Sequence, residues 1–296
     1  MSLVRNHRLA ELIATATHTA QREVVRAENC SGGCIHRTQI VELSDGRRFF
    51  VKAGPAAGDM FAQEAAGLAA LATVGCLRTP AVITAGMLEN SQACLVLEAI
   101  QSSTPKPHFW QQFGRRFAQL HRTATAVRFG WSGDNYLGSN LQRNAAHETW
   151  CRFFAECRLG YQLRLARNNG RGSRELFKLA ERLLDKLEDR LGPCSDPPSL
   201  LHGDLWSGNF VVDETGEAVL IDPAVYYGQR EADLAMPLLF GGFSPDFLAA
   251  YQEYWPLTAG WEERVELYKL YHLLNHLNLF GSGYLDSCLE IARRFA

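Results

Sequence analysis

The sequence predicts an α+β protein with two lobes, a small antiparallel β-sheet lobe followed by a larger, mainly helical lobe. In the first hundred residues, short stretches typical of strands are joined by a Ser-Asp-Gly-Arg turn, which favours a β-hairpin. From Trp110 onward, apolar residues recur at three- and four-residue spacing, as they do in helices. One β-rich stretch at 200–222 interrupts the helical half. The boundary is predicted near Ile100, which gives lobes of 1–100 and 101–296.

The composition fits a globular protein. Of 296 residues, 47% are hydrophobic and 21% are charged, and the formal net charge is −2, so no nucleic-acid or anionic-membrane surface is indicated. The first twenty residues carry charges among apolar ones, and no stretch has membrane-spanning length, so a cytoplasmic protein without a secretory signal is expected. Eight scattered cysteines lack zinc-binding spacing and are interpreted as reduced thiols.

The small lobe is predicted to hold four strands and one helix. The helix carries Phe61, Leu68 and Leu71 on one stripe, and Gly75 follows at the position that glycine prefers after a helix end. Glu64 lies on the same inward stripe, where a charge needs a partner. The elements are strands at 38–43 and 48–52, a helix after Gly54-Pro55, strands at 81–88 and 93–97, and a polar connector at 101–105.

The large lobe is predicted to be helical, with Ser173 and Ser244 as N-caps. His272 and His276 are four residues apart and could ligate a metal. No glutamate follows His272 as in a metalloprotease motif, so we interpret the pair as part of a packed helix or a substrate-pocket wall. The predicted helices span 110–121, 148–166, 174–191, 245–254 and 262–280.

The stretch at 200–222 carries the candidate chemistry. Asp204 follows a His-Gly pair, Asn209 lies five residues later, and Asp222 ends the next apolar strand. Phosphoryl transfer needs a carboxylate to orient the attacking hydroxyl and accept its proton, and oxygen ligands to hold Mg²⁺. Asp204 is therefore the candidate catalytic residue, and Asn209 and Asp222 are candidate metal ligands. Ordinary turn hydrogen bonds are the alternative, but protein-kinase catalytic loops have the same Asp-x4-Asn spacing.

The small lobe offers candidate nucleotide-binding residues. Lys52 ends a strand and is the obvious partner of Glu64, and in kinases such a pair holds the lysine against the nucleotide phosphates. A solvated lysine and an exposed glutamate are the alternative. Gly32 and Gly33 precede the first hairpin strand, where backbone amides could approach phosphate, although an ordinary turn would look the same. Cys34 beside them raises the hypothesis that thiol oxidation impairs nucleotide binding.

Several motifs together resemble the fructosamine kinase, or ketosamine 3-kinase, family over nearly the whole chain. They are Leu-His-Gly-Asp-Leu-Trp-Ser-Gly-Asn at 201–209, Asp-Pro-Ala at 222–224, Tyr-Gly at 227–228 and Phe-Gly-Gly-Phe at 240–243. The resemblance implies a two-lobed protein-kinase-like fold, in the group that includes aminoglycoside and choline kinases. It also implies ATP and Mg²⁺ as cofactors, with the adenine bound through backbone groups of Glu98, Ala99 and Ile100.

For the substrate, the resemblance implies a ketosamine, the adduct of a sugar with an amine, phosphorylated on its 3-hydroxyl with Asp204 in contact. Trp206 is expected to border this acceptor, with core packing as the alternative. Asp233 is expected to hold the backbone of the catalytic loop. The expected binding partner is a small ketosamine or a glycated protein lysine, and binding to nucleic acid or membrane is not expected. The protein is expected to be a monomer or a homodimer. An aminoglycoside- or choline-type kinase and a non-catalytic nucleotide-binding protein remain alternatives.

Overall fold

The computed structural model describes residues 3–30, 37–55, 58–89, 91–193 and 196–296. The chain forms two compact units. The first consists of Met1–Phe109 and Gly208–Asp222, and the second of Trp110–Ser207 and Pro223–Ala296. Within the described residues, every helix is too short or too polar to cross a membrane.

The first unit contains a five-stranded antiparallel sheet. Its strand order is β1-β2-β3-β5-β4, and the predicted hairpin, helix and later strand pair are all present. The first helix and first strand lie outside the predicted elements. In chain order the elements are α1 (His7–Thr17), β1 (Val24–Asn29), β2 (Arg37–Leu43), β3 (Arg48–Pro55), α2 (Met60–Val74), β4 (Val82–Met87) and β5 (Gln92–Glu98).

Alternating side chains of the sheet enter two apolar clusters. Val51 and Val96 are buried in a cluster that includes Leu9 of α1, whereas Leu95 is buried in another with Leu68 of α2. Successive residues of a strand point to opposite faces, so β5 contributes to both clusters. Because both faces of this strand are covered, it reads in the sequence as a continuous apolar run.

The second unit is mainly helical. Ser173 caps its helix by accepting a hydrogen bond from Leu176 N–H, as predicted. The predicted helix at 148–166 is instead divided by a π-helical turn, in which Gly160 N–H donates to Ala155 O. The elements before the loop that carries Asp204 are α3 (Phe109–Thr123), β6 (Asn135–Leu137), β7 (Asn140–Gln142), α4 (Trp150–Phe153), the π-helix (Phe154–Leu159), α5 (Gly160–Asn168), α6 (Arg174–Asp185), α7 (Leu187–Leu191) and β8 (Ser199–Leu201).

The next two strands form a hairpin that belongs to the first unit. These are β9 (Phe210–Val212) and β10 (Ala218–Leu220), which pair antiparallel. The sequence-based division placed this hairpin in the helical lobe. Backbone hydrogen bonds explain its place in the first unit, because Ser103 N–H donates to Val212 O and Leu220 N–H donates to Arg78 O.

The rest of the chain completes the second unit. Strand β11 pairs with β8, and Ser244 caps its helix by accepting from Asp246 N–H, as predicted. The elements are β11 (Tyr226–Gly228), a 3₁₀ turn (Arg230–Leu234), α8 (Ala235–Phe240), α9 (Pro245–Tyr254), α10 (Trp261–Phe280), a 3₁₀ turn (Ser282–Tyr284) and α11 (Leu285–Phe295).

Candidate active site

Three of the predicted site residues meet inside the first unit. Lys52 of β3 places its Nζ 2.8 Å from Glu64 Oε1 on α2 and 2.6 Å from Asp222 Oδ1. The predicted Lys52–Glu64 ion pair is therefore confirmed. Burial alone would lower the pKa of Lys52, but the charges of Glu64 and Asp222 outweigh it and raise the pKa, so the ammonium stays protonated.

Asn209 and Asp222 lie at the open end of the β9–β10 hairpin. Ile221 N–H donates to Asn209 O at 3.0 Å, and Asn209 Nδ2 lies 3.5 Å from Asp222 O. Asp222 has a φ of +54°, a left-handed conformation that is uncommon for residues other than glycine. Strain of this kind is retained where surrounding contacts fix it, and here the Lys52 contact holds the carboxylate.

The chemistry of this pair of side chains fits Mg²⁺. Magnesium prefers hard oxygen ligands and is usually bound by one or two protein groups, with phosphate and water oxygens completing the shell. Asp222 supplies a carboxylate whose side chain is 40% exposed, and Asn209 supplies an amide oxygen. Within the described residues, no group of three or more His, Cys, Asp or Glu side chains is arranged to hold a metal.

The predicted adenine connector begins at the end of β5. Glu98 N–H donates to Ala81 O, and the Glu98 carboxylate contacts Arg78 at 2.6 Å. The side chain of Glu98 is therefore engaged within the protein, and Ala99 and Ile100 follow it directly. Gly32, Gly33 and Cys34, which the sequence assigned to a phosphate loop, lie outside the described residues.

In the second unit, the loop that carries Asp204 follows β8 and is fixed by a buried carboxylate. Asp233 accepts hydrogen bonds from His202 N–H at 2.6 Å and from Gly203 N–H at 2.7 Å, which confirms its predicted contact with this backbone. His121 Nε2 lies 3.1 Å from the same carboxylate. Burial alone would raise the pKa of Asp233, but the hydrogen bonds from His121 and the backbone lower it, so the carboxylate is ionised.

His121 was not singled out from the sequence, although it extends the apolar stripe of Phe113 and Phe117. It is completely buried, and burial lowers its pKa, so the imidazole is neutral. Because Asp233 can only accept, Nε2 carries the hydrogen, and Nδ1 accepts from the Tyr251 hydroxyl at 2.8 Å. A histidine on the apolar face of a helix was the available signal.

Gly203 is the position in this loop that demands glycine. Its φ is +80°, and a Cβ atom there would lie 2.1 Å from Ala224 O. The two segments also share a hydrogen bond from Ala224 N–H to His202 O. The glycine therefore lets the chain after Asp222 approach the residue that precedes Asp204.

Comparison with known proteins places the whole chain in one family. The family model described as fructosamine kinase matches residues 7–295. This chain belongs to the fructosamine kinase family. A probable ketoamine kinase of Synechocystis is 40% identical over 292 residues, covering 96% of both chains. The chloroplastic protein-ribulosamine 3-kinase of Arabidopsis thaliana is 38% identical over 271 residues, covering 91% of this chain and 82% of its own.

Solved structures agree on the fold. The crystal structure of a putative fructosamine-3-kinase from Haemophilus somnus has a TM-score of 0.87 at 28% identity, covering 97% of this chain and 96% of that one. An aminoglycoside phosphotransferase has a TM-score of 0.65 at 14% identity, covering 97% and 99%, which shows a shared fold alone. The predicted protein-kinase-like fold, with an antiparallel sheet and a mainly helical remainder, is confirmed.

Two motifs that carried the fructosamine kinase resemblance contact each other in the second unit. Gly242 has a φ of +84°, and a Cβ there would lie 2.6 Å from Ser207 Cβ. The Phe-Gly-Gly-Phe motif thus packs against the Leu-Trp-Ser-Gly-Asn motif, three residues after Asp204. Phe243 anchors this loop in an aromatic cluster with Trp110 and Phe247. Trp206, predicted to border the acceptor, is half-buried.

Sequence reasoning missed a buried hydrogen-bond network next to the loop that carries Asp204. Gln142 of β7 donates to Ala224 O at 2.9 Å and accepts from the Tyr271 hydroxyl at 2.7 Å. Asn135 of β6 donates to Val225 O at 2.8 Å. These neutral amides hold the segment that packs on Gly203. Their signal in the sequence, isolated Asn and Gln residues in short polar stretches, is too common to be distinctive.

Arg158 in the π-helical turn belongs to the same network. It is completely buried and stacks 3.9 Å from the Tyr226 ring, and its guanidinium donates to Arg143 O and Asn144 Oδ1. Its described partners are neutral, and its Nε has no hydrogen-bond partner in the described part of the chain. Tyr226 in turn packs near Gly203.

The two histidines of α10 are part of a packed helix. His276 Nδ1 lies 2.8 Å from His272 O, and His276 also packs against Phe240. Burial lowers the pKa of His272 to about 3, so its imidazole is neutral. This agrees with the packed-helix interpretation.

Proposed function

We propose that this chain phosphorylates the 3-hydroxyl of a ketosamine, of the ribulosamine or fructosamine type, with ATP and Mg²⁺. Two observations support the proposal. The backbone of the loop that carries Asp204 is held by hydrogen bonds to Asp233, and Lys52, Glu64 and Asp222 form an ion-pair cluster in the first unit. The fructosamine kinase family and the names of its relatives support the substrate class.

The proposed roles follow from charge and position. Lys52, kept charged by two carboxylates, would bind nucleotide phosphates, and Glu64 would hold its side chain in place. Asn209 and Asp222 would hold Mg²⁺, which neutralises phosphate charge when bound. The carboxylate of Asp204 would accept a hydrogen bond from the sugar hydroxyl and then its proton. Backbone groups from Glu98 to Ile100 would contact the adenine, Gly32 and Gly33 the phosphates, and Trp206 the acceptor.

Several finer assignments stay predictions. The chain is expected to act in the cytoplasm, as a monomer or homodimer, on a free ketosamine or on a glycated protein lysine. The group of small-molecule kinases with this fold also includes enzymes for aminoglycosides and choline, so a test of substrate class must include both.

The decisive experiment is ATP consumption with Mg²⁺ on ribulosamine, fructosamine, aminoglycoside and choline acceptors. The Asp204→Asn variant serves as the blank, because it retains the size of the side chain but removes its charge. We expect ketosamine-dependent turnover that falls at least ~10²-fold in the variant, while nucleotide affinity is retained. Turnover only on choline or an aminoglycoside would overturn the substrate class, and equal turnover in the variant would overturn the role of Asp204.

A further inference from the structure

Arg78 binds three carboxylates within the first unit. Its Nη2 lies 2.6 Å from Glu98 Oε1, and its Nη1 lies 2.6 Å from Asp213 Oδ2 and 3.1 Å from Glu214 Oε1. Isolated surface ion pairs contribute little to stability, but a planar guanidinium shared by several carboxylates fixes their relative positions. Arg78 itself lies between α2 and β4, outside the residues that the sequence assigned to the site.

The three carboxylates come from two parts of the nucleotide-binding machinery proposed above. Glu98 ends β5, where the adenine connector begins, and its Oε2 accepts from Ala81 N–H at 3.0 Å. Asp213 and Glu214 lie in the turn that joins β9 to β10, at the closed end of the hairpin that carries Asn209 and Asp222.

The turn is also held by hydrogen bonds of its own. Asp213 Oδ1 accepts hydrogen bonds from Thr215 N–H at 2.9 Å, from the Thr215 hydroxyl at 2.7 Å and from Glu217 N–H at 3.1 Å. The other oxygen of the Asp213 carboxylate contacts Arg78. The side chain of Asp213 is only 4% exposed, so its charge depends strongly on this partner.

The backbone of Arg78 holds the same hairpin at a second point. Leu220 N–H donates to Arg78 O at 2.8 Å, and Arg78 forms a parallel β-bridge with Val219. Arg78 therefore contacts the hairpin both at its turn and along β10, two residues before Asp222. Because β9 and β10 are short and paired, a tilt at the turn would be transmitted to the open end, where the proposed Mg²⁺ ligands lie.

We propose that Arg78 is a positioning residue that couples the adenine end of the nucleotide site to the hairpin that holds Mg²⁺. The inference rests on the proposed nucleotide site. Without the guanidinium, Glu98, Asp213 and Glu214 would repel one another, and the turn would move away from the end of β5. Nucleotide affinity in the presence of Mg²⁺ would then fall more than affinity in its absence.

The test is calorimetric titration with ATP, in the absence of any acceptor, with Mg²⁺ or with EDTA. The proteins are wild type, Arg78→Met, Arg78→Lys and Arg115→Met, the last removing an exposed ion pair with Glu253 in the second unit. Loss of a direct hydrogen-bond partner of metal ligands typically weakens metal affinity by about 10–100-fold. Because the Arg78 side chain acts on the proposed ligands through the hairpin, we expect the Mg²⁺-dependent gain in ATP affinity to shrink by the lower end of this range, about tenfold, in Arg78→Met. In Arg78→Lys, whose ammonium cannot bridge all three carboxylates, we expect this gain to lie between the wild-type value and that of Arg78→Met. In Arg115→Met we expect the wild-type gain.

The outcomes separate the two proposals. An unchanged Mg²⁺-dependent gain in Arg78→Met overturns the positioning role, as does an equal loss of affinity with and without Mg²⁺, which a merely structural role would give. If wild type itself does not bind ATP, the proposed function falls, and this inference falls with it. Thermal unfolding without nucleotide verifies that each variant is folded, and Glu98→Gln provides a second variant that removes one charge of the network.

Discussion

The two units hold their site residues by different physical means. In the first unit, the site is assembled by ion pairs, with Lys52 between two carboxylates and Arg78 among three. In the second, backbone hydrogen bonds to Asp233 hold the loop of Asp204, and neutral amides such as Gln142 hold the segment that packs against this loop.

The difference matches the tasks proposed for the units. Residues of a site for Mg²⁺ and phosphate must be able to change their ionic partners. Asp222 contacts Lys52 in this structure and would contact Mg²⁺ as well when the metal is bound. A loop that aims one carboxylate at a hydroxyl needs fixed geometry, and short directional hydrogen bonds in a buried setting provide it. Substitutions in the first unit should therefore act through charge, and those in the second through shape.

The largest effect is expected from Lys52→Met in the first unit. The variant removes the charge proposed to bind phosphates and leaves the buried Glu64 without its partner, which costs about 3–5 kcal/mol for a buried pair. We expect turnover to fall at least ~10²-fold and the midpoint of thermal unfolding to drop. The Lys52→Met/Glu64→Leu double variant should recover stability but not turnover. Recovery of both would show that Lys52 has no part in catalysis.

Gly203→Ala tests shape in the second unit. The added methyl group would clash with Ala224 O, and the positive φ adds strain of about 1–2 kcal/mol. Gly170→Ala is the matched control, because Gly170 has a φ of +64° but a Cβ atom added there would meet no atom within 4 Å. We expect Gly203→Ala to be less stable than the control in urea unfolding and to lose activity, whereas the control loses stability alone. Equal losses of stability and activity in the two variants would contradict the steric argument.

Arg158→Met tests whether the buried cation serves stability or activity. Arg158→Met removes the cost of burying a charge but leaves Arg143 O and Asn144 Oδ1 without this donor. Because these two effects oppose each other, the unfolding free energy should change by less than about 2 kcal/mol. Because Arg158 stacks on Tyr226 beside Gly203, we expect kcat to fall while the KM values for ATP and acceptor stay unchanged. Arg158→Lys, which keeps the charge, is the comparison. Wild-type kcat in Arg158→Met would show that the cation has no influence on the loop.

The smallest effect concerns acid stability of the first unit. Burial would raise the pKa of Asp213, but hydrogen bonds from Thr215, Glu217 and Arg78 lower it to about 2, below the value of an unfolded chain. Its contribution to stability is therefore present above about pH 4 and is lost as the pH falls toward 2. Urea unfolding should show a weaker loss between pH 4 and pH 2 in Asp213→Asn than in wild type. Identical pH dependence would contradict the lowered pKa.

Much of the fold followed from local patterns. The strand pair around the Asp-Gly turn, the helix that ends at Gly75 and the capped helices after Ser173 and Ser244 all have signals within a few residues of one another. The Lys52–Glu64 pair was predictable because a charge on an inward helix stripe requires a partner. The interruption of the helix by the π-helical turn was not predictable, because the apolar spacing continues through that turn.

The sequence by itself determined the kinase motif, the four central strands and the helix of the small lobe, and the residue types that phosphoryl transfer requires. Only the tertiary structure decided which distant side chains support them. Arg78 meets Asp213 across 135 residues of sequence, and Tyr271 meets Gln142 across 129. Periodicity reports which face of an element is buried, but a polar residue on that face has many candidate partners. The folded chain selects one by bringing donor and acceptor within hydrogen-bond distance.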